Sequence, residues 1–379
     1  MSMKFNAWLA REAQARQDAG LQRTLVPRDA DAETIDLAGN DYLGLSQHPR
    51  VVAAAATAAE RWGAGAGASR LVTGTLGVHE ELEEALAAWT GAPAALVHST
   101  GYHANLAAVT ALTDADTLIV SDAHVHASLV DACRLSRGRV VIAPHGDVDA
   151  VEQALRQRAE PRALVLTESI FSVLGDRAPL TELAGASARH DAVLLVDEAH
   201  GVGVAGEGGR GLAHAAGLSG RPGVVVTVTL SKALGSQGGA VLGSEAVVDH
   251  LVNRARPFIY DTGLAPAAAA AAHEALRVIS DEPELVGRVN HVATELADAV
   301  GAARPGGAVL SVPLGSPDDA LAAQAACLRD RLRVGCFRPP SVPDGISRLR
   351  ITASARLDDD ALAHACRVLH GVGRRVGTA

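Results

Sequence analysis

Of the 34 lysine and arginine residues in this chain of 379, only Lys4 and Lys232 are lysines. Where a positive charge suffices, the chain uses arginine. A lysine set in Val224-Val225-Val226-Thr227-Val228-Thr229-Leu230-Ser231-Lys232 therefore points to something a guanidinium cannot supply, an amine able to lose its proton. Such an amine attacks a carbonyl carbon and forms a Schiff base. A surface lysine without a task is the competing reading, and Lys4, near a terminus expected to fray, fits it.

Other chemistry-bearing residues gather where apolar runs end. His98-Ser99-Thr100-Gly101-Tyr102-His103 follows Ala94 to Val97, and Ser121-Asp122-Ala123-His124-Val125-His126 follows Thr117 to Val120. Thr167-Glu168-Ser169-Ile170-Phe171-Ser172 follows Ala163 to Leu166, and Asp197-Glu198-Ala199-His200 follows Ala192 to Val196. One such histidine is usually a structural hydrogen bonder, but several strand ends carrying polar residues together describe a site. Paired with a Schiff-base lysine, they suit pyridoxal 5'-phosphate, which draws electrons only while its ring nitrogen is protonated over a carboxylate. Asp197 is the candidate carboxylate, a helix cap being the alternative. Thr100-Gly101-Tyr102 stands where a strand turns into a helix whose free amides suit a phosphate, with Thr229 as a further hydroxyl. Tyr102 or His126 could stack on the ring.

Two motif matches fail on context. Asp197-Glu198-Ala199-His200 spells a helicase acidic box, but no GxxxxGK[ST] loop precedes it. Gly201-Val202-Gly203-Val204-Ala205-Gly206 matches GxGxxG, yet it does not directly follow its strand or open a first βαβ unit, and it reads as a loop.

The elements that must position these residues alternate. The apolar runs above, with Val140 to Ala143 and Gly223 to Leu230, are separated by helical periodicity such as Val148 to Arg158 and Leu180 to Arg189. This is the pattern of an α/β fold whose parallel sheet is covered on both faces. From about Pro283 the pattern becomes a long helix through Val300, a strand at Val309 to Val312, a helix after Ser316, strands near Val334 and Leu349 and a last helix from Asp358. The expected organisation is an N-terminal helix and arm over 1–45, a large mostly parallel α/β domain over 46–280 and a smaller α+β domain over 281–379.

A net charge of -9 and 48% apolar residues describe an enzyme-sized protein and argue against nucleic acid as a partner. No apolar stretch is long enough to span a membrane, and no signal-like core follows Met1, so a cytoplasmic location is expected. Cys133, Cys327, Cys336 and Cys366 lack CxxC spacing and are read as reduced thiols, with no metal site.

The whole set resembles the α-oxoamine synthases among the fold-type I pyridoxal-phosphate enzymes. The resemblance covers essentially the entire chain and is carried by Gly39-Asn40-Asp41-Tyr42-Leu43-Gly44-Leu45, Ser99 to Asn105, Ser121 to Ser128, Val196 to Gly201, Thr229 to Gly235 and Arg338-Pro339-Pro340-Ser341-Val342-Pro343. It implies that Lys232 holds the cofactor and later moves the proton at the substrate α-carbon. Asp197 would pair with the ring nitrogen, His200 and Ser172 with the phenolic oxygen, and His126 would stack on the ring. Gly101, Tyr102 and Thr229 would hold the phosphate, and Thr262 would reach that of the neighbouring subunit in a homodimer. Arg23, Asn40 and Arg338 would bind substrate, Arg338 and Asn40 through the carboxylate of the amino acid or of the product. The branch it looks most like joins L-alanine to pimeloyl-CoA or a pimeloyl-carrier protein in biotin biosynthesis. Glycine-using sister enzymes and a non-catalytic family member are the alternatives. Within Gly63 to Gly74, Arg70 is read either as meeting the pimeloyl carboxylate or as bracing the dimer.

Overall fold

A computed structural model of the chain describes residues 3–30 and 33–376, so residues 1–2 and 377–379 of the expected terminal segments lie outside that description. Its strands are β1 (Ile35–Leu37), β2 (Ala94–His98), β3 (Thr117–Asp122), β4 (Arg139–Ala143), β5 (Arg162–Glu168), β6 (Val193–Asp197), β7 (Val224–Thr229), β8 (Gly239–Gly243), β9 (Val309–Pro313), β10 (Leu332–Phe337) and β11 (Arg348–Thr352).

The larger sheet has seven strands in the order β2-β8-β7-β6-β5-β3-β4. Strands β4, β3, β5, β6 and β7 run parallel, while β8 lies antiparallel between β7 and β2. Burial on both faces follows from the uninterrupted apolar runs. Leu118 and Val120 enter one core and Ile119 the other, as Val165 opposes Leu164 and Leu166, and Val196 opposes Leu195. Each such side chain contributes about 1.5–3 kcal/mol on leaving water. Strand β8 is not evident in the sequence, because Gly239-Ala240-Val241-Leu242-Gly243 is short, glycine-bounded and close behind the loop of Lys232.

The smaller sheet has the order β1-β10-β11-β9. Its edge strand β1 comes from the arm and pairs parallel with β10, Ile35 opposite Leu332. Helices Glu284–Val300, Pro317–Arg329 and Asp359–Val376 accompany this sheet. Ahead of the arm, helix Met3–Asp18 has no buried residue. Among the described residues no helix is long and apolar enough to cross a membrane.

Candidate active site

The carboxyl ends of β3, β5, β6 and β7 open onto one crevice, the place where open α/β sheets bind ligands. There a cavity of about 250 Å³ is lined by Gly101, Asn105, His126, Glu168, Asp197, His200 and Lys232, among others. Lys232 follows β7 on a loop closed by Leu230 N–H to Gly238 O and Ser236 N–H to Leu230 O, both 2.9 Å. Burial pushes its ε-amine down to about 8, against the upward pull of Asp197 and Glu168. It is thus an amine that deprotonates near neutrality.

The amine lies 3.0 Å from Nε2 of His200, whose Nδ1 lies 2.7 Å from the Tyr42 hydroxyl. Tyr42 donates to Oδ1 of Asn40 at 3.0 Å, and that oxygen also accepts both terminal nitrogens of Arg350, at 3.1 and 3.2 Å. Burial, then the Lys232 and Arg350 charges, holds His200 well below the ordinary imidazole range.

Asp197 sits at the end of β6, 4% exposed. It caps no helix. One carboxylate oxygen accepts the Ala199 amide at 2.9 Å and the other accepts Nδ2 of Asn105 at 2.7 Å. Asn105 also donates to Ser128 Oγ at 2.8 Å, which lies 2.8 Å from Nδ1 of His126. A single chain of bonds therefore orients both Asp197 and His126. Glu168 stands beside Asp197 in register on β5, accepts the Ser172 amide on one oxygen at 3.1 Å and leaves the other buried without a partner. Burial and the neighbouring Asp197 raise its carboxyl well above the ordinary range.

Helix Gly101–Leu112 begins at the cavity with Thr100 as N-cap, accepting the His103 amide at 3.0 Å. A Cβ on Gly101 would stand 2.9 Å from Cβ of Thr229, so only glycine leaves room between that helix start and the strand. The Thr229 and Ser231 hydroxyls, 2.7 Å apart, line the same end. Pyridoxal 5'-phosphate fits this donor set. A helix N-terminus suited to an anion, a buried carboxylate and a deprotonatable amine share one cavity. Tyr102 also lines it, with its hydroxyl donating to Asp131.

Other residues singled out from the sequence lie outside that lining. Ser172 acts through its backbone, its amide on Glu168 and its carbonyl accepting Nε of Arg350 at 2.7 Å. The Thr262 amide donates to Asp261 Oδ1 at 3.0 Å. Arg23 donates to Ser341 Oγ at 2.6 Å, and Arg338 donates to the Gly20 and Gln22 carbonyls, so these two join the arm to the loop 338–341. Arg70 is held on its own chain by both carboxylate oxygens of Glu83, at 2.9 and 3.0 Å.

Arg350, Asn105, Glu168 and Tyr42 are the residues that sequence reasoning did not assign. Arg350 carried no local signal that sets it apart from Arg348 on the same strand. It occupies a strand whose five residues are all buried, and an arginine there requires a specific anion or acceptor. Asn105 carried none beyond its place one helical turn after Gly101.

A family model described as aminotransferase class I and II matches residues 32–369. The chain is 58% identical to an 8-amino-7-oxononanoate synthase from Mycolicibacterium gilvum over 367 residues, 97% of each chain. It is 59% identical to one from Mycobacterium sp. strain JLS over 97% of this chain and 96% of that protein. Among solved structures, a serine palmitoyltransferase from S. paucimobilis with a bound PLP-myriocin aldimine superposes with a TM-score of 0.91 at 30% identity over all of both chains. An 8-amino-7-oxononanoate synthase from Francisella tularensis gives 0.77 at 25%, over 91% of this chain and 99% of that one.

Proposed function

The chain belongs to the aminotransferase class I and II family, and on that premise we propose that it condenses L-alanine with a pimeloyl thioester to give 8-amino-7-oxononanoate, carbon dioxide and the free thiol. The observation that carries the reading is the buried Lys232 amine sharing one cavity with Asp197, His126 and His200, in a chain whose similarity to 8-amino-7-oxononanoate synthases spans 97% of its length.

The cofactor, pyridoxal 5'-phosphate, supplies when bound the electron sink that lets the carbon beside the substrate nitrogen carry negative charge. The chain's own residues do the rest. Lys232 would hold the cofactor aldehyde carbon, then, displaced by the alanine amine, take the α-proton and later return one. A base near 8 suits both directions. Asp197, anchored by Asn105 and the Ala199 amide, would keep the ring nitrogen protonated, and His126 would cover the ring face. His200, backed by Tyr42, would bond the phenolic oxygen with Ser172 nearby. Gly101, Tyr102 and Thr229 would receive the phosphate. Glu168, whose carboxyl burial and the neighbouring Asp197 raise well above the ordinary range, would stand beside Asp197 at the cavity wall.

In this reading Arg350 receives the alanine carboxylate together with Asn40, because its guanidinium lies within electrostatic reach of Lys232 and His200. Arg23 and Arg338, on the arm and its contact loop, are left for the distal carboxylate of the bound product. The enzyme is read as a cytoplasmic homodimer in which Thr262 reaches the partner's phosphate. Exposed apolar side chains at Leu71, Val72 and Tyr260 support the dimer.

The test is a steady-state assay of purified holoenzyme with pimeloyl-CoA and either L-alanine, glycine or L-serine, with products identified by mass. The expected dominant product is 8-amino-7-oxononanoate from alanine. Faster turnover with glycine or serine would overturn the substrate assignment.

A further inference from the structure

Outside the cavity, the imidazole of His145 lies between two carboxylates. Nδ1 is 2.9 Å from Oδ1 of Asp122 and Nε2 is 2.8 Å from Oδ2 of Asp176. An ionised carboxylate only accepts, so both ring nitrogens must carry a proton. The ring is further fixed by stacking on His124, centroids 4.0 Å apart, and by the edge contact with Phe171 at 4.3 Å.

What the two carboxylates control gives the arrangement its meaning. Asp122 ends β3 and accepts the His124 amide at 2.7 Å and the Gly146 amide at 2.8 Å, which shapes the turn leading to His126. Asp176 closes the loop after β5, its carbonyl accepting the Phe171 amide at 2.9 Å, next to Ser172. Through its backbone Ser172 holds Glu168 and Arg350. None of His145, Asp122 and Asp176 lines the cavity, yet each is bonded to a segment that does or that anchors one.

We propose that His145 is a positioning residue that clamps the His126 turn and the Ser172 loop at a fixed separation by bonding Asp122 and Asp176 at once. Burial alone would lower its pKa, but the two carboxylates outweigh burial and raise it to about 9. The titratable groups facing this assembly are Asp122 and His124 on the β3 turn and Asp176 on the β5 loop, with Asp344 acting on His124 from the loop before β11. The clamp therefore holds at neutral pH and opens as pH rises through about 9.

The inference rests on the cofactor reading for the meaning of His126 and Ser172, and its test separates the two. Histidine titrations are followed by NMR on 15N-histidine-labelled, cofactor-free full chain, unsubstituted and as Asp176→Asn, and cofactor affinity of both is measured by fluorescence quenching. His145 in the unsubstituted protein is expected to titrate near 9. In Asp176→Asn its midpoint should fall by more than about one unit, the His126 resonances should move and the cofactor Kd should rise at least about tenfold, the size of effect typical of partners that orient a binding group. A His145 midpoint at or below the ordinary imidazole range overturns the clamp, even if Asp176→Asn does not fold. So does a folded Asp176→Asn with unmoved His126 resonances. Failure of the unsubstituted protein to bind pyridoxal phosphate would overturn the proposed function while the NMR result still decides the clamp.

Discussion

The amine of Lys232 and the hydroxyl of Tyr42 address opposite nitrogens of one buried ring, His200, at 3.0 and 2.7 Å. Because Tyr42 donates its proton to Asn40, it accepts from Nδ1–H of His200, which leaves Nε2 as an acceptor for a Lys232 N–H. The imidazole is thereby neutral and of one tautomer, in line with its strongly lowered pKa. A cationic His200 would set two charges 3.0 Å apart in a buried pocket.

Lys232→Ala should abolish turnover and the covalent hold on the cofactor, since Lys4 stands on an exposed helix remote in sequence and no other lysine exists. Lys232→Arg should fail equally, because a guanidinium does not deprotonate. Borohydride reduction followed by dialysis and mass measurement checks both. Cofactor mass retained on either variant would move the attachment point.

The rate at which cofactor-free protein captures pyridoxal phosphate should rise with pH through about 8 and then level off, as the neutral amine becomes the dominant form. The stability sign follows from the same burial. The folded amine's pKa lies below its unfolded value, so the charged form is disfavoured in the fold. Its cost is complete below about 8 and fades as pH rises towards the ordinary lysine range. Lys232→Met should therefore be more stable than the unsubstituted cofactor-free protein at pH 7, by up to about 3 kcal/mol, with the gap closing at alkaline pH in urea titrations.

Arg350→Ala should weaken L-alanine binding by roughly 1.5–3 kcal/mol, the range for a lost charge-assisted hydrogen bond. Arg338→Ala should leave alanine affinity close to that of the unsubstituted enzyme. The spectral change on adding alanine to each holoenzyme measures this, and the opposite ordering would return the carboxylate to Arg338.

Gly101→Ala should fold, because Gly101 has no left-handed backbone angle, but its new Cβ would press against Thr229 at the helix start. A cofactor Kd raised by more than about tenfold with an unchanged far-ultraviolet spectrum is expected if that space holds the phosphate, given about 1.4 kcal/mol per factor of ten. Unaltered affinity would place the phosphate elsewhere.

Much of this site was legible because Thr100, His126, Asp197, His200 and Lys232 follow closely on the ends of apolar runs. Continuous Val/Leu segments can be read as buried parallel strands, and the residue after each must emerge at the sheet's carboxyl edge, which places Asp197, Thr229 and Lys232 together without any coordinates. The carboxylate pocket was not legible in the same way. Arg338 stood out beside two prolines, whereas Arg350 lies within β11, and only the pairing of β11 with β10 and β9 puts its guanidinium against Asn40, 310 positions earlier in the chain. Long-range pairing of that kind leaves no local trace. The same is true of β1, whose three residues become a strand only by joining β10.

That pairing also sets an order of events in the making of the protein. The arm with β1, Asn40 and Tyr42 leaves the ribosome among the first residues, but β10 and Arg350, its partners, are among the last. During most of synthesis the seven-stranded sheet can close around Lys232 and Asp197 while β1 has no strand to pair with. The half of the pocket that grips the cofactor ring is thus available to a nascent chain before the half built from Asn40, Tyr42 and Arg350. A chain cut short before β10 would retain Lys232, His200 and Tyr42 but lose the guanidinium of Arg350 that holds Asn40, so the substrate end of the pocket is the last part of the site to be made.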